Sequence, residues 1–318
     1  MVTITPEELS ISAQKFRKDL LMMPVIALSV SLAHMTLRLG VRGKETVGQL
    51  DGDIEIGPYS STRKDVNGVD VKGRVLETYF GSVIKEFEPN SVAKSIYGDA
   101  VLSGAALTNT QITTQVVAFL AKKVSKKLDM SLWSAIRNDA GTTTATLFNG
   151  YDTITDAEIT ANNITVAKGN LYEFGAAITS ANALDLLKAF HRAATDELQG
   201  EKCKLFMPKA IYNAYVDDYQ ASNGAVPYNK EFKKTFLEGS DDCCELVALP
   251  NKKGSKYLHM TTKGNMLVGV DQESQMEKIG VEKHAAFVLQ FVMAMFFGVQ
   301  FESISPERLL VGKLFVQA

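Results

Sequence analysis

The chain has 318 residues, 46% of them hydrophobic, enough for one large packed domain or two smaller ones and incompatible with disorder throughout. With 34 Lys plus Arg against 36 Asp plus Glu, it has no global basic field to hold nucleic acid through its phosphates, so any such contact must be local. Its three cysteines, Cys203, Cys243 and Cys244, are odd in number and lack paired spacing, which suits a reducing compartment, no disulfide framework, and buried or inert thiols.

At the N-terminus, Lys15, Arg17 and Lys18 precede the apolar stretch Leu20 to Ala33, in the order of a secretion signal. The leader reads differently. Thr5 suits a helix N-cap, Pro6 the first helical position, and Glu7 and Glu8 the first turn. An amphipathic arm that packs on another surface is expected, not a cleaved signal.

From 40 to 90, glycines at Gly40, Gly43, Gly48, Gly52, Gly57, Gly68, Gly73 and Gly81 punctuate alternating segments such as DIEIGPY and VDVKGRVLETYFG, which predicts extended strands and turns. Asn67-Gly68, between KDV and VDV, suits the positive φ angles of a type I′ turn. Arg63, Lys64, Asp65, Asp70, Lys72 and Arg74 flank it with few large apolar residues. Such a ribbon buries little by itself, so it is either a protruding arm that lies on a partner or an ordinary surface hairpin. If it is an arm, those six charged residues are its candidate inter-subunit contacts.

Ile112, Val116, Leu120, Val124, Leu128, Leu132 and Ile136 recur every four residues and predict a helix over 111–139, about 44 Å long. Thr108 and Gln111 have capping-box spacing, and Gly141 offers the stop. Leu128 and Ile136 are expected on its buried stripe, and Lys122, Lys123, Lys126 and Lys127 on a solvated face. A Thr- and Asn-rich stretch leads on to an α/β unit. There Ser180 is expected to cap a single helix ending at Gly200, with Leu184, Leu187, Phe190, Ala194 and Leu198 on one face. Strand CKLFM runs to Pro208 and a second helix, KAIYNAYVDDY; CELVALP, KYLHM and GNMLVGVD follow as strands with turns at NKKG and TTKG. The uncharged AAFVLQFVMAMFFGVQF, 285–301, is too short and too interrupted by Gln290, Gly298 and Gln300 to span a membrane, and reads as buried strand.

Catalytic motifs fail on spacing. VRGKET has glycines too close for a phosphate loop and Glu45 at the hydroxyl position; DGDIEIG offers Asp51, Asp53 and Glu55 but has Ile56 where a calcium loop needs glycine. His34, His191, His259 and His284 are scattered, and neither they nor Cys243-Cys244 have zinc-like spacing. There is no nucleophile elbow and no dinucleotide fingerprint. Asn163-Ile164-Thr165 is a sequon by letter alone, since nothing indicates secretion. No catalytic, cofactor or metal residues are expected, and the chain is expected not to be an enzyme.

Three segments in order carry a resemblance: LAKKVSKKLDMSLWSAIRNDAG; KLFMPKAIYNAYV; and KYLHMTTKGNMLVGVD followed by FFGVQFESISPERLLVG. They resemble the spine helix, the axial-domain strand and helix, and the closing strands of tailed-bacteriophage major capsid proteins with the Hong Kong 97-type fold. The resemblance rests on order and covers most of the chain. It implies an α+β fold with an N-terminal arm at 1–39, an extended hairpin loop and connecting strands at 40–90, a peripheral domain at 91–175 with spine helix 111–139, an axial domain at 176–270, and at 271–318 strands that return to the peripheral domain and finish in the axial one. It further implies self-assembly into pentamers and hexamers of a virion head around double-stranded DNA, built in the host cytoplasm. Separate scaffold, portal and decoration proteins would be partners, and no cofactor or membrane is implied. An encapsulin-like shell around cargo protein and a soluble α/β enzyme are the alternatives.

Overall fold

Two five-stranded sheets and a two-stranded ribbon organise the described residues. The structure, a computed structural model, describes residues 29–52, 69–87, 109–223, 235–271, 279–285 and 288–315. A helical turn at Ser29–Leu32 precedes β1 (Thr36–Leu39), β2 (Lys44–Gly52), β3 (Val69–Glu77) and β4 (Tyr79–Phe87). The ribbon is β2 against β3, antiparallel from Lys44↔Glu77 to Gly52↔Val69. The paired strands expected here are therefore present over the described residues, with Val69 opposite Gly52. This register brings Val47 and Leu76 to one face of the ribbon, where both are buried with Val41 and Leu267. Asn67-Gly68 itself lies outside the described residues.

The long helix, α1 (Asn109–Ser131), has 23 residues and so is about 35 Å long, shorter than its apolar repeat suggests. Past its end at Ser131, the chain is held by the start of the next helix. Tyr151, Asp152 and Gly150 donate their backbone N–H groups to the carbonyls of Leu132, Trp133 and Ala135, at 3.2, 3.0 and 2.8 Å. Those donors belong to the start of α2 (Tyr151–Thr160), whose N-cap is Gly150, so the first backbone N–H groups of α2 find acceptors in the turn that follows α1. The backbones approach so closely that a Cβ on Gly150 would lie 2.3 Å from the Trp133 carbonyl oxygen. The helix ends at Ser131, before Gly141 is reached, so Gly141 does not make the stop. Leu128 and Leu132 are buried as expected, whereas Ile136 lies past the helix and is 63% exposed, which overturns its place on the stripe.

After α2 come β5 (Leu171–Glu173), α3 (Ala183–Arg192), α4 (Asp196–Gly200), β6 (Cys203–Pro208), α5 (Lys209–Asn223), β7 (Cys244–Leu249), β8 (Tyr257–Thr262), β9 (Met266–Val270), β10 (Ile279–Ala285), β11 (Val288–Phe301) and β12 (Leu309–Lys313). The single helix expected before Gly200 is two helices, because the Thr195 hydroxyl accepts from Leu198 N–H and starts a new one. Asn182, not Ser180, is the N-cap of α3, and the Asp218 carboxylate of α5 takes the Leu184 N–H at 2.7 Å. All of Leu184, Leu187, Phe190, Ala194 and Leu198 are buried.

One sheet runs β1-β9-β11-β10, with β4 also on β11; the other runs β5-β12-β8-β6-β7. The second is covered on both faces. Leu205, Met207, Leu246, Leu258, Met260 and Leu310 pack with α3 and α5 residues, while Phe206, Val247, Leu249, Tyr257, Leu309 and Val311 meet Trp133, Phe148, Tyr151 and the Phe297, Val299, Phe301 face of β11. The uncharged 285–301 stretch thus forms most of a 14-residue strand that lines the core shared with α1. Among the described residues no helix is long and apolar enough to cross a membrane.

Candidate assembly surface

The root of the ribbon is built by two glycines. β4 follows β11 from Phe87↔Leu289 to Tyr79↔Phe297, and at Phe297 β11 also pairs with Val270 of β9, with Gly298 opposite Gly269. The chain between β3 and β4 crosses over this pair. A Cβ on Gly298 would lie 2.1 Å from the Glu77 carbonyl oxygen, and one on Gly269 would lie 2.8 Å from the Thr78 methyl. Glycine inside a strand marks such close backbone approach, which is how sequence could have revealed the crossing.

Thr78, buried at the crossing, ties it down: its N–H donates to Gly43 O at 2.7 Å, its hydroxyl to Val41 O at 3.1 Å, and Gly43 N–H donates back to that hydroxyl at 3.0 Å. Arg74 supplies a second tie. Its Nη2 donates to Glu158 Oε1 on α2 at 2.6 Å and to Gln300 Oε1 at 3.1 Å, and its Nε to Phe301 O at 3.1 Å. Gln300 in turn donates to Val75 O at 3.1 Å. Of the six candidate contact residues, Arg74 is therefore engaged inside its own chain, a role at odds with a free contact residue. Asp70 and Lys72 lie on β3, opposite Asp51 and Gln49; Arg63, Lys64 and Asp65 lie outside the described residues.

Beyond the root, the outer face of the first sheet is apolar and open. Phe80 and Ile84 of β4 are 54% and 60% exposed and stand opposite Phe296 and Val292 of β11, with the two phenyl rings 5.0 Å apart. On the inner face a cleft of about 540 Å³ opens between the sheet and α1, lined in part by Val83, Val124, Leu128, Leu147, Met293 and Met295. Along α1, Phe119 and Met130 are exposed beside the solvated Lys122, Lys123, Lys126 and Lys127.

Two buried polar clusters were invisible in the sequence. Lys252, fully enclosed, donates to Asp152 Oδ1 at 3.2 Å and His259 Nδ1 at 3.0 Å, and its ammonium lies 3.6 Å from the Trp133 ring centre. Burial pulls the lysine down to about 8, opposed by the Asp152 carboxylate, and burial with the nearby ammonium keeps His259 neutral, well below the usual imidazole range. With Nδ1 accepting, His259 Nε2–H donates to the Thr155 hydroxyl at 3.0 Å, which donates to Tyr151 O at 2.8 Å. The second cluster corrects the expectation that the histidines and cysteines stay apart: the fold brings ligand atoms of His191, Cys203 and Cys244 within 4.8 Å of one another. The hydrogen bond between the two thiols lowers Cys203 and raises Cys244, and burial holds His191 down.

No protein-family model and no curated protein matches the sequence. Solved structures do match. The capsid chain of the satellite phage P4 procapsid with its size determination protein is 9% identical, aligns over 91% of this chain and 96% of its own, and has a TM-score of 0.57. The capsid of a native GTA particle is 10% identical over 91% of each chain, with a TM-score of 0.55, and the cyanophage A-1(L) capsid 14% identical over 93% of each, with 0.54. At these identities the likeness is one of fold, and the fold of this chain is the α+β fold of phage capsid subunits.

Proposed function

We propose that the chain is a major capsid protein, a structural and non-enzymatic subunit whose rings of five and six copies close into an icosahedral virion head around double-stranded DNA. The observation that carries this is the shared fold over nine-tenths of both chains. The uncovered apolar face of Phe80 and Ile84 supports it, because a subunit that works in a lattice leaves surface to be closed by neighbours. Head-to-tail contacts between identical copies that close by rotation give rings, and rings joined edge to edge give a shell. In this reading 1–39 is an arm, 40–90 the extended loop, 91–175 the peripheral domain, 176–270 the axial domain, and 271–318 the strands that close both. Scaffold, portal and decoration proteins are its partners, DNA is enclosed without sequence reading, and assembly takes place in the host cytoplasm.

The ribbon is the proposed reach to a neighbour. Arg63, Lys64, Asp65, Asp70 and Lys72 pair across that contact and set its register more than its strength, while Arg74 holds the root. Expression of the full chain, with cryo-electron microscopy of the product, tests the proposal. Closed shells of uniform size support it; small particles under every assembly condition overturn it. Shells that fill with a host protein and never with DNA in an infection setting give the encapsulin-like alternative instead. Arg63→Glu with Lys64→Glu leaves the subunit folded and lowers shell yield in a salt-dependent way.

A further inference from the structure

We propose that His191, Cys203 and Cys244 form a zinc site that staples the edge of the second sheet to α3. The inference is independent of assembly. His191 lies in the last turn of α3, and Cys203 and Cys244 open β6 and β7 directly opposite one another in parallel register. Three element ends therefore converge on one point, with the ring nitrogen and both sulfurs within 4.8 Å of one another. All three residues are buried, at 5%, 1% and 0% exposure.

Two observations separate this from a chance meeting of core residues. The His191 Nε2 is buried and has no hydrogen-bond partner, which is costly for an imidazole unless something accepts its lone pair. The donor set is also chemically selective. Two sulfurs and one imidazole are soft and borderline ligands, suited to zinc and not to magnesium or calcium, which take oxygen.

Charge settles the choice of ion. The cluster that holds Cys203 and Cys244 includes Leu198, Leu205 and Leu246, an apolar side on which a net charge is costly, although Arg192, Glu201 and Glu245 also act on the three ligands. A dication with two thiolates and a neutral imidazole sums to zero, whereas a monovalent copper in the same ligands would leave one negative charge buried. Zinc–sulfur bonds of about 2.3 Å place tetrahedral ligands about 3.8 Å apart, so the cluster must contract by no more than about 1 Å, within reach of small side-chain rotations. Binding displaces one proton from each thiol, two in all, and no electrons move. The fourth position belongs to water. The geometric effect is to tie β7, an edge strand of its sheet, to β6 and to the helix packed on it.

The test uses the full chain purified without chelator and then reconstituted with zinc chloride alone. Elemental analysis gives about one zinc per chain, and X-ray absorption at the zinc edge shows two sulfur neighbours. Cobalt substitution produces a thiolate charge-transfer band and tetrahedral ligand-field absorption. Cys203→Ser, Cys244→Ser and His191→Gln each lower the bound metal at least tenfold, while Cys243→Ser and His34→Gln keep it. Should the ligand variants fail to fold, the absorption spectrum of the unaltered chain decides alone. No metal after reconstitution, a first shell without sulfur, or a Cys203–Cys244 disulfide in protein prepared under reducing conditions each overturns the proposal.

Discussion

The two five-stranded sheets differ in what covers them. The β5-β12-β8-β6-β7 sheet has apolar residues on both faces and each face meets its own buried cluster, so its strands read as near-continuous apolar runs. The sheet centred on β11 uses the same kind of residues, yet Phe297, Val299 and Phe301 are buried in the core while its Phe80 and Ile84 face looks out. Apolar content alone does not distinguish a sheet that completes a core from one that offers a surface. The difference lies in the neighbours, and the glycine crossing at Gly269 and Gly298 is where the chain passes from one condition to the other.

The closed side breaks most severely. Leu128, 1% exposed, packs in the core between the sheets, and Leu128→Asp strands a carboxylate there without a partner, a loss of at least about 4 kcal/mol that leaves little or no folded chain. Soluble expression and a cooperative urea transition are the readouts. Gly298→Val strikes the crossing itself: the new Cβ meets a backbone oxygen that cannot rotate away, so the cost exceeds about 3 kcal/mol and the β3–β4 link must leave the sheet. Gly264→Ala is the control, since nothing lies within 4 Å of a Cβ there.

The Lys252 cluster sharpens the contrast through pH. The folded lysine titrates near 8 against an ordinary 10.5, so between those values the unfolded chain keeps a proton that the folded chain has lost. Stability rises with pH across that window, is complete above 10.5, and is lost as pH falls through 8. The span amounts to up to about 3 kcal/mol. His259 acts on the acid side, its stability present above 6.5 and lost as pH falls below it. Lys252→Met removes the alkaline rise and costs about 3 kcal/mol or more at neutral pH by leaving Asp152 unpaired. Urea midpoints of both proteins at pH 7, 8 and 9.5 check this; parallel curves for the two would contradict it.

Arg74→Met acts more locally. Removing its bonds to Glu158, Gln300 and the Phe301 carbonyl costs about 2 kcal/mol, because among the described residues the Glu158 carboxylate then keeps Asn163 alone as a side-chain donor. Amide exchange in β2 and β3 quickens at least tenfold while the second sheet keeps its protection; uniform loss of protection would place Arg74 in the global core instead.

Much of this architecture was readable from residues because the period-two and period-four patterns are local. CKLFM, CELVAL and KYLHM became strands, and the face Leu184, Leu187, Phe190, Ala194, Leu198 was buried whole. What escaped was set by partners far along the chain. The register that sets Val69 opposite Gly52 buries Leu76 with Leu267, beyond the reach of any turn rule. His191, Cys203 and Cys244 look unrelated in spacing, since a helix end and two strand starts bring them together only in three dimensions. Likewise, nothing in NKKG marks Lys252 as enclosed; Trp133, Asp152 and His259 enclose it from three other segments.

Ile136 gives the finest division between the two conditions. It continues the every-fourth-residue pattern of α1, and on that pattern alone Ile136→Asp should be as damaging as Leu128→Asp. The chain leaves the helix before reaching it: the Ile136 N–H donates to Ala145 O at 2.9 Å, in a loop, and the side chain is 63% exposed. An aspartate there stays hydrated, so the urea midpoint should move by less than about 0.5 kcal/mol in equivalent stability, with unchanged slope. A loss comparable to that of Leu128→Asp would mean that the helix runs on past Ser131 and carries Ile136 onto its buried stripe.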